Sequence, residues 1–441
     1  MSVFTKISKW VGMLLGGPKR PTISLPDESF NRSPQVNRPT SSVAGSVVQA
    51  DKNVGFRTEG SHALLPDRAV NRSAVFTAFD ASRPINGRSQ LFGREKEIKG
   101  LLRSVFDFNQ HAVIYGARGS GKTSVARVFG DFADQCGSVV LYFPCEPDAN
   151  FSQLMGALLD GLPKGAVDPL RRAEFARRVE EMPAHFGPLA FVELVADFVV
   201  RPVVLILDEF DRITLDQTRT EIAVSMKLLS DNHARIRFVI VGIASSVAQI
   251  LTGHPSLRRH MSVTRIGRIE PGSVNALMDH GSAAVGLPFS SDARDIVERV
   301  SVGSPYHVRL LCRHAALHAI SRRSTEVTAA DVRSGIVEVL EQWAETNQLD
   351  ASRFSSIASN IAIRSLAEEV AREAAKFDIF KPTPETLDAV ARLGDSIELA
   401  EGEQGSYAFV DSLAPQFLIA SIASTEEQED HIKRQRRALE N

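Results

Sequence analysis

The chain lacks long apolar runs, paired cysteines and an excess of charge of one sign. No stretch of its 441 residues approaches 18 consecutive apolar residues, so the sequence predicts no transmembrane helix. The three cysteines, Cys136, Cys145 and Cys312, form no CxxC pair, and we interpret them as reduced thiols of a cytoplasmic protein. The net charge of −2 offers no overall basic surplus for nucleic acid. Hydrophobic residues at 43% and charged residues at 24% are typical of a globular protein with room for two or three domains.

One motif stands out from this ordinary composition. Residues 116–123 read Gly-Ala-Arg-Gly-Ser-Gly-Lys-Thr, which matches GxxxxGK[ST]. The apolar run at 112–115 predicts a buried strand before the motif, and residues 124–129 predict a helix after it. In a strand–loop–helix unit the loop N–H groups and the helix N-terminus bind phosphates, whereas the alternative, a glycine-rich surface turn, does not require these flanks. The predicted nucleotide-binding residues of the loop are Gly116, Ala117, Arg118, Gly119, Ser120, Gly121, Lys122, Thr123 and Ser124.

Four side chains in and beyond this loop suit Mg-dependent phosphoryl transfer. Lys122 would reach the β- and γ-phosphates, and the hydroxyl of Thr123 would hold Mg²⁺. Residues 202–207 predict a parallel strand that is buried on both faces and ends in Asp208 and Glu209. Ligands bind at the carboxyl edge of such sheets, so Asp208 would hold Mg²⁺, directly or through water. Glu209 would then orient or deprotonate the attacking water, which predicts a protein that binds ATP or GTP.

Further segments resemble one branch of the P-loop ATPases. These segments are Leu-Phe-Gly-Arg-Glu at 91–95, Lys-Leu-Leu-Ser at 227–230, Arg-Phe-Val-Ile-Val-Gly-Ile-Ala-Ser-Ser at 237–246, His-Pro-Ser-Leu-Arg-Arg at 254–259 and Gly-Ser-Pro-Tyr-His-Val-Arg at 303–309. Together they resemble the AAA+ ATPases of the origin-recognition, replication-initiator type of bacteria and archaea, and the neighbouring STAND signalling ATPases. The resemblance covers roughly residues 88–325, with a weaker tail to about residue 422.

The resemblance implies roles for several residues. The segment around Phe92 would pack against adenine, which favours ATP over GTP. Ser245 falls at the sensor-1 position, where a polar side chain contacts the γ-phosphate or the attacking water. Arg258 or Arg259 falls near the arginine finger, which would act on the nucleotide of a neighbouring subunit. The resemblance therefore implies a homo-oligomer.

Two departures from the family pattern bear on the rate of hydrolysis. Sensor 1 of the initiator proteins is usually Asn, and here it is Ser245 or Ser246, which have a shorter reach. At the place of the sensor-2 arginine stand Tyr306 and His307. Arg309, one turn further, could replace that arginine or could be a solvated helix residue. These differences favour a slow switch over a motor.

The resulting fold class is α/β, with a P-loop NTPase (AAA+-like) parallel sheet, a helical lid and a winged-helix-like C-terminal domain. We expect an amphipathic helix at 1–17, a disordered or loosely docked basic linker or tail at 18–87, the ATPase core at 88–265, the lid at 266–345, the winged-helix-like domain at 352–422 and a charged tail at 423–441.

The two ends of the chain decide which partners we expect. Residues 1–90 hold 12 Lys and Arg against 6 Asp and Glu, and apolar residues within 1–17 recur at helical spacing. The first 17 residues would dock on a partner or a membrane surface. In the predicted winged helix, the helix at 383–393 and the wing at 396–410 are acidic where a DNA reader needs Lys and Arg. A partner protein is therefore favoured over nucleic acid.

We expect an ATP-binding, Mg-dependent AAA+/STAND-like ATPase. Its ATP binding and slow hydrolysis would be coupled to oligomerisation or to binding of a partner protein. The alternative function is that of a DNA-binding, initiator-type or transposition-type ATPase loaded on nucleic acid. The basic segment 1–90 leaves room for that alternative.

Overall fold

The structure is a computed structural model that describes residues 66–85, 87–242, 255–400 and 404–440. Residues from Ala74 onward form one compact unit. Its centre is a parallel five-stranded sheet with the strand order β2-β3-β4-β1-β5. The strands are β1 His111–Tyr115, β2 Val139–Pro144, β3 Val203–Asp208, β4 Ile236–Gly242 and β5 Met261–Arg265. The expected P-loop sheet is thus confirmed.

Helices cover both faces of this sheet. All six residues of β3 are buried, which is why its sequence is continuously apolar up to Asp208. On one face pack α2 Glu95–Leu102 and α3 Lys122–Gln135. On the other face pack α4 Phe151–Gly161, α5 Arg172–Glu180, α6 Pro188–Phe198 and α7 Asp216–Asp231. All strands run the same way, so the loops after β1 and β3 meet at one edge of the sheet.

The lid is helical, and several of its helices begin at residues that favour helix starts. They are α8 Pro271–Val285, α9 Ser291–Ser301, α10 Pro305–Ser321 and α11 Ala329–Thr346. Pro271 and Pro305 open α8 and α10, where a missing N–H costs nothing. The side chain of Ser290 accepts a hydrogen bond from the N–H of Ala293 and caps α9.

The segment expected to be a disordered linker contains ordered structure before residue 87. Helix α1 spans Pro66–Ala78. The side chains of Val75, within this helix, and of Phe79, directly after it, are fully buried in the lid core. The Phe79 ring lies against Gly281, where an added Cβ would be 2.2 Å away. The linker expectation is therefore wrong for this part, because Val75 and Phe79 find apolar partners about 200 residues away in sequence, which composition does not reveal.

The C-terminal part is built from four helices and a short β-hairpin. Helices α12 Gln348–Ser359, α13 Arg364–Phe377 and α14 Leu387–Leu393 precede the strands β6 Ile397–Leu399 and β7 Tyr407–Phe409, which pair antiparallel, and α15 Ala414–Glu440 follows. Trp343 of α11 stacks on Phe417 of α15 with ring centroids 4.5 Å apart. Helix α15 runs across the expected boundary between residues 422 and 423. Among the described residues, no helix combines the length and apolarity needed to cross a bilayer.

Candidate functional site

The loop after β1 has a backbone that side chains would obstruct. Gly116 and Gly119 have φ angles of 154° and 73°. An added Cβ at Gly116 would lie 2.3 Å from the carbonyl oxygen of Ile266, and one at Gly119 would lie 2.9 Å from a methyl group of Leu413. Both positions therefore require glycine for conformation and for space. The loop leads directly into α3, as the motif predicts.

Lys122, the first residue of α3, closes this loop. Its ammonium group donates hydrogen bonds to the carbonyl oxygens of Gly116 and Ala117, at 2.8 and 2.9 Å. Burial lowers the pKa of Lys122, and the charges of Asp211, Asp208 and Asp378 oppose that shift. The lysine thus lies inside the loop that would surround the phosphates.

A cavity of about 270 Å³ lies between this loop and the lid. Eight residues expected from sequence to bind nucleotide line it: Phe92, Gly119, Ser120, Gly121, Lys122, Thr123, Ser124 and Arg309. Gly116, Ala117 and Arg118 are loop residues outside this lining, and the side chain of Arg118 is exposed. The buried hydroxyl oxygen of Ser120 has no hydrogen-bond partner among the described residues. A buried polar atom of this kind fits a site that contacts a polar ligand.

The end of β3 presents its first carboxylate in a fixed orientation. Asp208 is buried, and the Tyr142 hydroxyl donates a short hydrogen bond to its Oδ2. The backbone N–H of Glu209 donates to Oδ1 at 2.9 Å. Asp208 is close enough to Lys122 for its charge to raise the pKa of the lysine. Asp208 and the hydroxyl of Thr123 are oxygen donors of the type that Mg²⁺ prefers, so the residues present fit this ion.

The carboxylate of Glu209, the second at the end of β3, pairs with an arginine and does not line the cavity. Its backbone has a φ of 55°, a left-handed conformation that is costly for a residue other than glycine. Its carboxylate pairs with Arg212 at 2.8 Å, and both side chains are half-exposed. Glu209 is not part of the cavity lining. Its role as the residue that activates water stays a prediction, and in this conformation Arg212 holds its carboxylate.

Arg94 was not singled out by the sequence. Its guanidinium is almost fully buried and donates to the carbonyl oxygens of Ser120, at 3.0 Å, and Gly267, at 2.5 Å. It also pairs with Glu97 at 3.2 Å. Burial lowers its pKa, and the charge of Glu97 opposes this shift. The sequence shows an arginine directly after Gly93, but the residues around it do not indicate which groups its guanidinium would contact.

The lid contributes Arg309 to the cavity. Arg309 is 7% exposed, and its Nη2 donates to the carbonyl oxygen of Gln90 at 3.2 Å. Burial lowers its pKa, and the charge of Asp80 opposes that shift. It is therefore not the solvated helix residue left open as an alternative. Tyr306 also lines the cavity, whereas His307 is buried against Phe417.

The predicted sensor-1 residues lie outside the described residues, and the predicted arginine-finger residues do not line the cavity. Ser245 and Ser246 lie outside the described residues. Arg258 and Arg259 are exposed and immediately precede β5. Because β1 and β5 are parallel, these two arginines lie at the amino edge of the sheet, opposite the edge that carries the loop. Neither arginine lines the cavity of its own chain.

Comparisons with known proteins agree with this site. Residues 90–240 match the family model of the AAA ATPase domain. No curated protein matches the sequence. Among solved structures, the ORC2 protein of Aeropyrum pernix is 15% identical, covers 80% of this chain and 98% of its own, with a TM-score of 0.45. Cdc6p of Pyrobaculum aerophilum is 16% identical with the same coverages and TM-score. A Walker-type ATPase of Pyrococcus abyssi is 14% identical, covers 77% and 99%, and has a TM-score of 0.48.

The family model, the sheet and the phosphate loop together define a P-loop ATPase. The match of residues 90–240 to the AAA ATPase domain confirms the expected AAA+ resemblance. The match includes the loop, the Asp208 strand and all of α3, and it supports ATPase activity in general.

Proposed function

We propose that this chain is a nucleotide-dependent switch, in which Mg-ATP binding and slow hydrolysis change how the C-terminal part packs and which partner it binds. Lys122 and the loop N–H groups would hold the phosphates. Phe92 and Arg309 would contact the bound nucleotide from the lid side. Thr123 and Asp208 would hold Mg²⁺, which supplies charge neutralisation at the phosphates.

The observation that carries this proposal is a contact between α13 and the nucleotide edge of the sheet. Arg265, at the end of β5, donates to the carbonyl oxygen of Phe377 at 3.0 Å and lies 3.7 Å from the Asp378 carboxylate. Arg268 donates a short hydrogen bond to the carbonyl oxygen of Ala375. The C-terminal end of a helix carries partial negative charge, so α13 presents carbonyls and a carboxylate to these arginines.

The same contact reaches the phosphate loop. The charge of Asp378 acts on Lys122, and burial raises the pKa of Asp378 while Arg268, Arg265 and Lys122 oppose that shift. Leu413 packs on Gly119 at the tip of the loop. A third phosphate adds negative charge near Lys122, which weakens the attraction that holds Asp378. Nucleotide state and C-terminal packing are thereby coupled, and coupling of this kind is what a switch requires.

The C-terminal surface supports a protein partner. Leu387 of α14, Leu399 of β6 and Val410 after β7 are 56%, 66% and 60% exposed. Glu385 and Asp388 are exposed beside Leu387. A DNA-binding surface requires basic residues toward phosphates, so an apolar and acidic surface favours protein over DNA.

The switch is tested by comparing the full chain in ADP and in a non-hydrolysable ATP analogue. We expect faster amide exchange at residues 375–378 and a changed sedimentation coefficient in the analogue. Asp378→Ala should give the faster exchange already in ADP. Lys122→Ala should bind neither nucleotide tightly and should respond to neither. Equal exchange and equal sedimentation of the wild type in both nucleotides would refute the switch. Stimulation of ATPase by duplex DNA would support the initiator-type alternative.

A further inference from the structure

Strand β2 brings a tyrosine to the carboxylate that ends β3. The two strands are parallel neighbours, with Tyr142 paired with Ile206 and Pro144 paired with Asp208. Tyr142 is therefore two residues short of the register position of Asp208. A phenol is long enough to span this offset, and its hydroxyl donates a short hydrogen bond to Oδ2 of Asp208.

The surroundings restrict the position of this hydroxyl. The guanidinium of Arg127 lies 5.4 Å from the centre of the tyrosine ring, on the side of α3. Strand pairing, ring packing and the helix together hold the phenol in one position.

Both oxygens of the Asp208 carboxylate thus accept a hydrogen bond from a group that cannot move freely. The donor to Oδ1 is the backbone N–H of Glu209, at 2.9 Å, and the donor to Oδ2 is Tyr142. A carboxylate has about four lone-pair positions, so about two remain for other ligands. Two fixed donors determine the plane of the carboxylate and hence the directions of those remaining lone pairs.

We propose that Tyr142 is a positioning residue for the Mg²⁺ of the bound nucleotide, and that it acts by fixing the orientation of Asp208. The proposal rests on the nucleotide-binding function above and is independent of the switch. Groups that orient a metal-binding carboxylate typically contribute about 10–100-fold to metal affinity or activity. Tyr142 itself contacts neither the ion nor the nucleotide in this role.

The matched test is Tyr142→Phe, which removes the hydroxyl and keeps the ring. Binding of a fluorescent ATP analogue is measured in EDTA and then as Mg²⁺ is titrated. Binding of Mn²⁺ to the nucleotide complex is followed by electron paramagnetic resonance. We expect the half-saturating Mg²⁺ and Mn²⁺ concentrations to rise about tenfold or more, with affinity in EDTA unchanged. The control Tyr407→Phe removes a hydroxyl from β7, where the ring stacks on Phe380, and should change neither value.

A double-mutant comparison separates positioning from a general effect on packing. Asp208→Asn should weaken Mg²⁺ binding by itself, and adding Tyr142→Phe to it should cause little further loss. The proposal fails if Tyr142→Phe has the Mg²⁺ and Mn²⁺ half-saturation of the wild type, or if the two losses add fully. Tyr142 would then only satisfy a polar group at the strand end. If the wild type itself shows no Mg-dependent nucleotide binding, the proposed function fails instead.

Discussion

Arg94 donates from its guanidinium to the backbone carbonyl oxygen of Ser120 at 3.0 Å, across 26 residues of sequence. The same nitrogen donates to the carbonyl oxygen of Gly267, in the connection between the sheet and the lid. One buried side chain thus joins the phosphate loop to the point where the lid begins. Because it donates to both carbonyls, the arginine stabilises the position of the loop relative to the lid.

The first prediction concerns this link. Arg94→Ala removes the donor to two backbone carbonyls, of Ser120 and Gly267, and a buried polar group left without a partner costs about 1–3 kcal/mol. We expect a lower melting temperature and an ATP affinity reduced by about tenfold or more, measured by calorimetry and nucleotide titration. Arg94→Lys should recover only part of the loss, since an ammonium cannot reproduce the fork of the guanidinium. The exposed Lys96→Ala on the same helix is the control and should resemble the wild type.

The second prediction concerns the Glu209–Arg212 pair. Glu209→Gln should retain ATP affinity and lower turnover by about 10²–10⁴-fold, because the amide keeps the shape but cannot take a proton. Arg212→Ala should release the carboxylate and raise turnover by up to about fivefold, the scale of exposed ion pairs. The double variant should match Glu209→Gln, and the exposed Lys227→Ala should be neutral. Normal turnover in Glu209→Gln would make Glu209 an ordinary residue at the strand end.

The third prediction concerns Arg258 and Arg259. Their position at the amino edge of the sheet excludes contact with the nucleotide of the same chain, so any catalytic effect must act on a second subunit. We expect one of the two alanine variants to be silent and the other to lower the ATPase rate without weakening ATP binding. Arginine fingers contribute about 10³–10⁵ in GTPases, and a smaller factor is expected for a slow switch. Arg235→Ala, exposed near the start of β4, is the control.

A concentration series completes that experiment. If a neighbouring subunit supplies the finger, the ATPase rate per chain should rise with protein concentration. Mixing the inactive arginine variant with Lys122→Ala should fail to restore full turnover. A rate that is independent of concentration, together with two silent arginine variants, would instead indicate hydrolysis within a single chain.

The fourth prediction is a dependence of stability on pH through His111. Its Nδ1 accepts from the N–H of Phe238 at 2.9 Å, and its Nε2 lies 2.8 Å from the carbonyl oxygen of Met226. Burial, together with the charge of Arg237, lowers its pKa to about 3. The unfolded chain binds a proton at this residue below about pH 6.5, while the folded chain does not until about pH 3. The folded state therefore loses stability as the pH falls through this range.

The contribution of His111 is about 1.4 kcal/mol per pH unit between those limits. Urea unfolding of His111→Gln between pH 6 and 4.5 should show a shallower dependence by about this amount. The variant should also be less stable at pH 7, because the amide cannot satisfy both backbone groups as the ring does. The exposed His233→Gln is the control, and a slope in His111→Gln equal to that of the wild type would contradict the assignment.

Much of the fold and part of the site could be predicted because their signals are local. The loop at 116–123 and the apolar strand that ends in Asp208 each depend on residues close together in sequence. Glycine at 116 and 119 follows from backbone conformation, and a parallel strand buried on both faces is apolar along its whole length. Local constraints of this kind appear directly as sequence patterns.

The contacts that organise the site were decided by tertiary structure. The sequence left two roles open for Arg309, a nucleotide contact and a solvated helix residue. Only the packing of the lid places it in the cavity. Arg94 reaches Ser120 and Gly267, and Tyr142 reaches Asp208 across a strand pair. These partners are separated by 26 to 173 residues, and no periodicity encodes such a separation.

The same distinction explains where the sequence was misleading. Residues 66–85 have the composition of a linker, yet Val75 and Phe79 are buried because the lid helices supply apolar side chains that pack against them. The sequence by itself determined the chemistry of the loop and the positions of the strands before it and before Asp208, since these follow from backbone geometry and local burial. Tertiary structure alone decided the partners of the carboxylates. Asp208 accepts from Tyr142, and Glu209 pairs with Arg212. The charge of Asp378, in the C-terminal part, acts on Lys122. Electrostatic and hydrogen-bond partners are set by distance in space, which strand order and helix packing control.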